Sequence, residues 1–431
     1  MKKYFIYFAN TILKSELLKN ASILISGTIL AQLISILLQP FLRRFFLPES
    51  FGLFSVYMSI VGILLTITTF KYDDAIVLPS KDKDSANLIS LSLIIAFSIS
   101  VFLFIVLLIF HGDIHRALNL PSGLSGKIIY VVPLSIFLYA SYQSFNYWLI
   151  RKKKYVSVSV NKLTRRGAEG FAQVLFAIIK NPKGLIWGDI IGQSVNVMVV
   201  TAQTLRNGFN TKYISVRKML YVASKYSEFP KYSLLPAFMS SCSFFLPPIF
   251  INRFYSAEYT GYFDLSKLLL SIPLALVATS LSNVLLQKVS EKFKQKQSIY
   301  NDVKPIFLFA ISIVFVEIVA IQLIGVWLFS FLFGEQWIAS GQISKILVWS
   351  YAFNFLVSSF SSVFIAMRKI KLYSLWQFAY FSAILSLLLF KNLSFNGFIL
   401  VYTVFELVCF IALAIMTYFL IHKYEHSLNE Y

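Results

Sequence analysis

Along the 431 residues, long apolar runs alternate with short breaks rich in charge, glycine or proline, and the run lengths predict helices rather than strands. Leu88 to Phe110 contains no charged residue and exceeds the roughly 20 residues a helix needs to cross a bilayer core. Read this way, the chain predicts about 12 membrane-spanning helices, with cores at 20–41, 53–72, 87–110, 128–150, 161–179, 184–205, 233–251, 262–286, 306–333, 345–367, 374–390 and 397–421. The fifth is the least apolar: its uncharged stretch, Gly170 to Ile179, is too short alone and must recruit the polar turns from Asn161 to Glu169.

The longest break, Arg206 to Tyr232, falls between the sixth and seventh predicted helices. It divides the chain into an N-terminal six-helix lobe (1–206), a cytoplasmic linker (207–232) and a C-terminal six-helix lobe (233–431). Orientation follows from basic residues, which collect on the cytoplasmic side. With the N-terminus inside, 29 of the 39 lysines and arginines fall on inner segments, including 7 at Arg151–Arg166 and 6 at Arg206–Lys231. Both termini are expected in the cytoplasm. The basic start, Met1 to Lys19, has no small-residue cleavage site behind a short apolar core and does not read as a removable signal peptide.

The two halves repeat one another. Arg44-Phe45-Phe46-Leu47-Pro48-Glu49-Ser50-Phe51-Gly52-Leu53-Phe54 aligns without gaps on Arg253-Phe254-Tyr255-Ser256-Ala257-Glu258-Tyr259-Thr260-Gly261-Tyr262-Phe263, an offset of 209. One residue out of step, Phe145-Asn146-Tyr147 matches Phe353-Asn354-Phe355, a match short enough to arise by chance. A six-helix repeat preserves orientation, so the halves are expected to relate by an axis along the membrane normal, as in many transporters.

Composition changes the picture little. With 58% hydrophobic and 13% charged residues, the chain is far more apolar than a soluble domain. The net charge of +20 would suggest nucleic acid in a soluble protein, but here the basic residues sit between apolar spans, so no nucleic-acid partner is expected. Cys242 and Cys409 lie inside predicted spans and form no ligand pair. No HExxH, CxxC, Walker A or GxSxG pattern occurs in a credible context, and neither a metal nor a catalytic residue is expected.

Several stretches resemble the Wzx-type O-antigen and polysaccharide flippases of the multidrug/oligosaccharidyl-lipid/polysaccharide exporter superfamily. They are Pro48-Glu49-Ser50-Phe51-Gly52 with Tyr72-Asp73-Asp74-Ala75-Ile76-Val77-Leu78-Pro79; Gly184-Leu185-Ile186-Trp187-Gly188 with Gly192; Phe229-Pro230 through Gly261-Tyr262-Phe263 and Lys267 to Pro273; and Gly334-Glu335-Gln336-Trp337. The resemblance implies an all-α polytopic membrane protein with two pseudo-symmetric six-helix lobes around a central cavity. It implies as cargo a polyprenyl-pyrophosphate-linked oligosaccharide, moved across the bacterial inner membrane. A polysaccharide polymerase and its chain-length machinery are then candidate partners, beside membrane lipid.

Such a cargo asks for three kinds of chemistry. Pyrophosphate needs cationic donors. Arg43, Arg44 and Arg253 at the outer ends of helices one and seven, and Lys267 one turn into helix eight, are the candidates. Structural alternatives stand beside them: Arg44 with Glu49, Arg253 with Glu258, and Lys267 with Asp264 three residues away. A glycan needs amides and hydroxyls, and Gln32 and Gln39 share one face of helix one with Thr28, Ser35 and Arg43. Tyr139, Gln143 and Asn146 on helix four and Asn354 on helix ten offer the same chemistry, with plain helix packing as the alternative.

Carboxylates inside spans are costly and usually face a partner or a cavity. Glu317, Glu406, Glu169 and Asp189 are therefore candidates for binding a coupling proton or sodium ion, Glu169 with Arg165 or Arg166 as its alternative partner. Two rival functions remain. A drug antiporter of the same superfamily would carry cationic cargo and favour acids in its cavity. A membrane polymerase or ligase would carry a long outer loop, and every predicted outer loop here is short.

Overall fold

The computed structural model describes residues 16–120 and 126–429, and every regular element among them is helical. The basic stretch from Met1 to Ser15, expected inside and uncleaved, lies outside the described residues. The helices of the first half are α1 (Glu16–Phe45), α2 (Pro48–Thr68), α3 (Asp82–Ile109), α4 (His111–Ala117), α5 (Val132–Arg151), α6 (Tyr155–Ile178), α7 (Gly184–Arg206) and α8 (Val216–Lys225). Those of the second are α9 (Leu234–Phe254), α10 (Ala257–Gln295), α11 (Tyr300–Phe333), α12 (Ile338–Phe360), α13 (Ser362–Ala366), α14 (Ile370–Ser386) and α15 (Phe395–Asn429). Each predicted span falls mainly on one of these helices, except the tenth, which is divided between α12 and α13 at Ser361, and among the described residues nine stretches are long and apolar enough to cross a membrane.

The fifth predicted span takes in its polar turns. The helix around the fifth predicted span begins at Tyr155, because the segment from Tyr155 to Glu169 is amphipathic and can bury one face against its neighbours. Lys162, Arg165 and Arg166, counted above with the inner segment, lie on this helix within the recruited turns.

The chain forms two compact units: Met1–Phe46 with Ile60–Phe238, and Leu47–Ser59 with Met239–Tyr431. The first unit thus runs past the predicted linker, and the second takes in the opening half of α2.

In the first unit, Ile76, Leu88, Ile89, Trp148, Val158 and Val200 form a core beneath the predicted inner segments. Those segments are tied together. Arg151 donates to Asp82 at 3.2 Å and to the carbonyl of Ser80 at 3.1 Å, and Lys152 donates to Asp82 at 2.5 Å. The Tyr72 hydroxyl donates to the Ala223 carbonyl at 3.0 Å. Trp148 Nε1 donates to the Asn207 carbonyl at 3.3 Å. Segments assigned to one side of the membrane by their charge thus meet at one end of this unit.

The second unit shows the same pattern. Glu425 accepts from the backbone N–H groups of Ile299 and Tyr300 at 2.8 and 3.0 Å, joining two predicted inner segments. Tyr255 donates to the Leu393 carbonyl at 2.9 Å, joining two predicted outer ones. Ser256 caps α10 by accepting from the Tyr259 N–H at 3.3 Å, and α11 stops at Gly334, whose φ of +102° suits only glycine.

The repeated motif meets itself in this unit. A Cβ on Gly52 would stand 1.7 Å from the Ala257 carbonyl oxygen, and one on Gly261 would stand 2.0 Å from the Pro48 carbonyl oxygen. Pro48 and Ala257 are repeat equivalents, as are Gly52 and Gly261. The two contacts are thus one contact seen from each copy, and a local two-fold relates the starts of α2 and α10. Trp337, fully buried, packs edge-on to Phe51 at 5.6 Å and to Tyr262 at 6.2 Å, covering both copies.

Candidate functional site

Polar groups at membrane depth gather in two clusters, one in each unit. The first is built by glycine. A Cβ on Gly192 would fall 2.6 Å from Glu169 Cβ and 2.9 Å from its backbone, and one on Gly188 would fall 2.3 Å from the Gln173 side chain. The bare face of α7 therefore lies directly on α6, the packing that small residues one turn apart permit. Gly27 on α1 likewise admits Ser159 of α6, whose hydroxyl donates to the Ile23 carbonyl at 2.9 Å.

This close approach brings Asp189 of α7 to Arg165 of α6 and Tyr139 of α5. Tyr139 donates to Asp189 Oδ1 at 2.6 Å; Arg165 Nη2 donates to the Tyr139 oxygen at 2.5 Å and to Asp189 at 3.4 Å. The guanidinium also lies over the Tyr139 ring, 4.7 Å from its centroid. One turn on, Arg166 donates to Glu169 at 2.9 Å. The carboxylates are sealed while the cations are not: side-chain exposure is 1% for Asp189 and 8% for Glu169, against 17% for Arg165 and 37% for Arg166. One turn back, Lys162 Nζ donates to the Thr28 hydroxyl of α1 at 2.7 Å and has no carboxylate partner among the described residues. The α6 face thus presents net positive charge.

The neighbouring candidates are placed as follows. Gln32 on α1 and Asn146 on α5 each bury a side-chain carbonyl oxygen that has no partner among the described residues. Gln39 accepts from buried Arg43 at 3.0 Å, so that pair is joined within α1. Gln143 lies in hydrogen-bond reach of Tyr147, which donates to Asp74 at 2.7 Å. Arg44, at the end of α1, is exposed.

In the second unit the close contacts of Lys267 are not with Asp264, its structural alternative. Its ammonium donates to the Phe244 carbonyl at 2.7 Å and sits 3.4 Å from the centroid of the Phe244 ring, because α9 presents that residue directly beside it. Glu406, 4% exposed, accepts from Tyr380 at 2.9 Å, and Tyr402 also hydrogen-bonds it. Lys267 is within electrostatic reach of Glu406. Asn354 lines a cavity beside these residues. Arg253 is exposed, and its expected partner Glu258 instead accepts from the Tyr262 hydroxyl at 2.6 Å, one turn along α10. Glu317, midway along α11, buries Oε2 without a partner among the described residues.

Four residues at these clusters escaped the sequence reading: Lys162, Trp376, Gln377 and Tyr402. Lys162 was hidden among loop charges, although its spacing to Arg165, Arg166 and Glu169 is that of one helix face. Trp376, Gln377 and Tyr380 on the eleventh predicted span, with Tyr373 just before it, carry a similar helical spacing.

Comparison with known proteins adds a family and a fold. The family profile described as polysaccharide biosynthesis protein matches residues 41–342. No curated protein sequence matches the chain. Among solved structures, an inward-facing multidrug resistance MATE family transporter of the MOP superfamily superposes with a TM-score of 0.72 at 13% identity, covering 90% of this chain and 94% of that one. Lipid II flippase MurJ in an inward closed conformation gives 0.69 at 14% identity, covering 90% and 87%. The MATE multidrug transporter DinF-BH gives 0.64 at 15% identity, covering 92% and 95%. This chain therefore belongs to the polysaccharide biosynthesis protein family, as a multi-pass membrane protein with the helical fold of the MOP superfamily.

Proposed function

We propose that this chain translocates a polyprenyl-pyrophosphate-linked oligosaccharide, a repeat unit of O-antigen or another surface polysaccharide, from the cytoplasmic to the periplasmic leaflet of the bacterial inner membrane by alternating access. Both termini then lie in the cytoplasm, and no covalent bond is made or broken. The observation that carries this reading is the unbalanced charge on α6. Asp189 and Glu169 are occupied by Arg165 and Arg166, while Lys162 has only a hydroxyl for a partner. A pyrophosphate supplies the missing negative charge and accepts several charge-assisted hydrogen bonds. A cationic drug would meet like charge there.

The remaining cargo chemistry has matching groups. The unpartnered oxygens of Gln32 and Asn146 suit glycan hydroxyls. The polyprenyl chain stays in lipid. Lys267 is a second phosphate candidate, while Arg43, Arg44 and Arg253 are weaker ones: Arg43 is buried on Gln39, and the other two are exposed at helix ends. For a coupling proton or sodium ion, Glu406 and Glu317 are preferred to the ion-paired Glu169 and Asp189.

Lys162→Gln tests the assignment, since it keeps a donor for Thr28 and removes the charge. Losing a charged hydrogen bond of about 1.5–3 kcal/mol should lower surface polysaccharide about tenfold or more, with lipid-linked oligosaccharide accumulating at unchanged protein level. Lys162→Arg should retain function. Full polysaccharide in the glutamine variant would remove α6 from the phosphate site.

A further inference from the structure

The second unit contains a cavity of about 150 Å³ whose walls come from α9, α12, α14 and α15. Roughly 300–1,000 Å³ is usual for drug-sized ligands, so this space admits one ring-sized group. Along one wall Tyr373 stacks on Trp376 at 5.6 Å, and Trp376 stacks on Tyr380 at 5.4 Å with 8° between their planes. Phe410 packs against the last two.

These rings are fixed. Trp376 Nε1 donates to the Cys409 carbonyl at 2.7 Å, and the Tyr380 hydroxyl donates to Glu406 at 2.9 Å. Phe244 lines the cavity as well and is held by Lys267 through its carbonyl and its ring. Between these walls stand the amides of Asn354 and Gln377, neither of which hydrogen-bonds to protein among the described residues.

The chemistry narrows the ligand. Glu406 already has the hydroxyls of Tyr380 and Tyr402, with Lys267 nearby, so the walls offer no unmatched charge. What they offer is rigid aromatic surface together with open amide donors and acceptors. A pyranose ring has the complementary form: an apolar C–H face, a rim of hydroxyls and no charge.

We propose that this cavity is a subsite for one neutral sugar ring of the transported glycan, with Gln377 and Asn354 bonding its hydroxyls and the aromatic side chains lining the cavity packing against its apolar face. The proposal rests on the flippase reading above. It adds a specificity site within the second unit.

The full chain in lipid nanodiscs is titrated with two probes. One is the polyprenyl-pyrophosphate-linked oligosaccharide extracted from cells lacking this protein; the other is undecaprenyl pyrophosphate without sugar. Gln377→Leu and Asn354→Leu should each weaken the first about tenfold and leave the second within about twofold. Gln377→Asn, which keeps an amide but withdraws it by one methylene, should show the same selectivity and serves if a leucine variant does not fold. Equal loss for both probes, or loss for neither, overturns the sugar subsite and leaves the flippase reading standing. Binding of tetraphenylphosphonium that disappears in Gln377→Leu would mark a cation cage and also overturn it. If the unaltered chain binds neither probe, the flippase reading fails and takes the subsite with it.

Discussion

Gly52→Ala and Gly261→Ala are each expected to abolish most of the folded protein. At both positions the added methyl would overlap a backbone carbonyl of the facing helix, at 1.7 Å from Ala257 and 2.0 Å from Pro48. A flexible side chain could swing aside; a helix backbone has to translate. Ordinary overpacking costs roughly 1–3 kcal/mol, and a clash that must push whole helices away from each other should exceed it. The loss should also be similar at the two sites, because they are repeat copies of one crossing. Gly167→Ala on α6 is the control: its Cβ would meet nothing within 4 Å, and exchanging glycine for alanine in a helix favours the helix by about 1 kcal/mol. Yield and thermal unfolding in detergent or nanodiscs read all three. A Gly52→Ala protein that melts with the parent would show that the two copies do not close on each other as described.

The second large effect is expected at Arg165. Asp189 is almost completely buried, and Arg165 is its cationic partner, with Tyr139 between them. Removing one member of a buried ion pair leaves a desolvated charge behind and typically costs about 3–5 kcal/mol. Arg165→Leu should therefore destabilise the first unit strongly. Asp189→Asn in the same chain should restore most of that loss, because no uncompensated carboxylate remains, and the charge on Lys162 is untouched. The double variant is expected to be folded and to keep transport, since the unbalanced charge stays on Lys162. Additive losses in a double-mutant cycle would mean that the two side chains are not energetically coupled.

The spans were legible in the sequence because an apolar run of bilayer length leaves little choice but helix. What lay beyond reach was how polar residues choose among partners at equal spacing. Glu169 follows Arg165 and Arg166 by four and three residues, and helix geometry allows either pair. The outcome is set by Gly188 and Gly192, which bring α7 onto α6 and give Arg165 to Asp189, leaving Arg166 for Glu169. Similarly, Asp264 is the obvious local partner for Lys267, yet Phe244, distant in sequence, supplies a carbonyl and a ring face.

The internal repeat was visible as matched letters, but its purpose was not. Alignment makes Gly52 and Gly261 equivalent; only the packing reveals that each stands against the other copy's first turn. The glycan face was half legible. Gln32, Asn146 and Asn354 were found from helical spacing, whereas the Tyr373–Trp376–Tyr380 stack read as ordinary aromatic content of an apolar span until α15 and Glu406 came beside it.

The most direct test of the account is transport by the purified protein alone. The chain is reconstituted into vesicles with the lipid-linked oligosaccharide from cells that lack it, and the fraction of glycan open to an impermeant glycosidase is followed over time. In empty vesicles only the outer-leaflet half should be cleaved. With the protein present the cleaved fraction should rise toward completion, and Lys162→Gln should slow that rise about tenfold. A cleaved fraction that stays at the empty-vesicle level with correctly folded protein would contradict the proposed function.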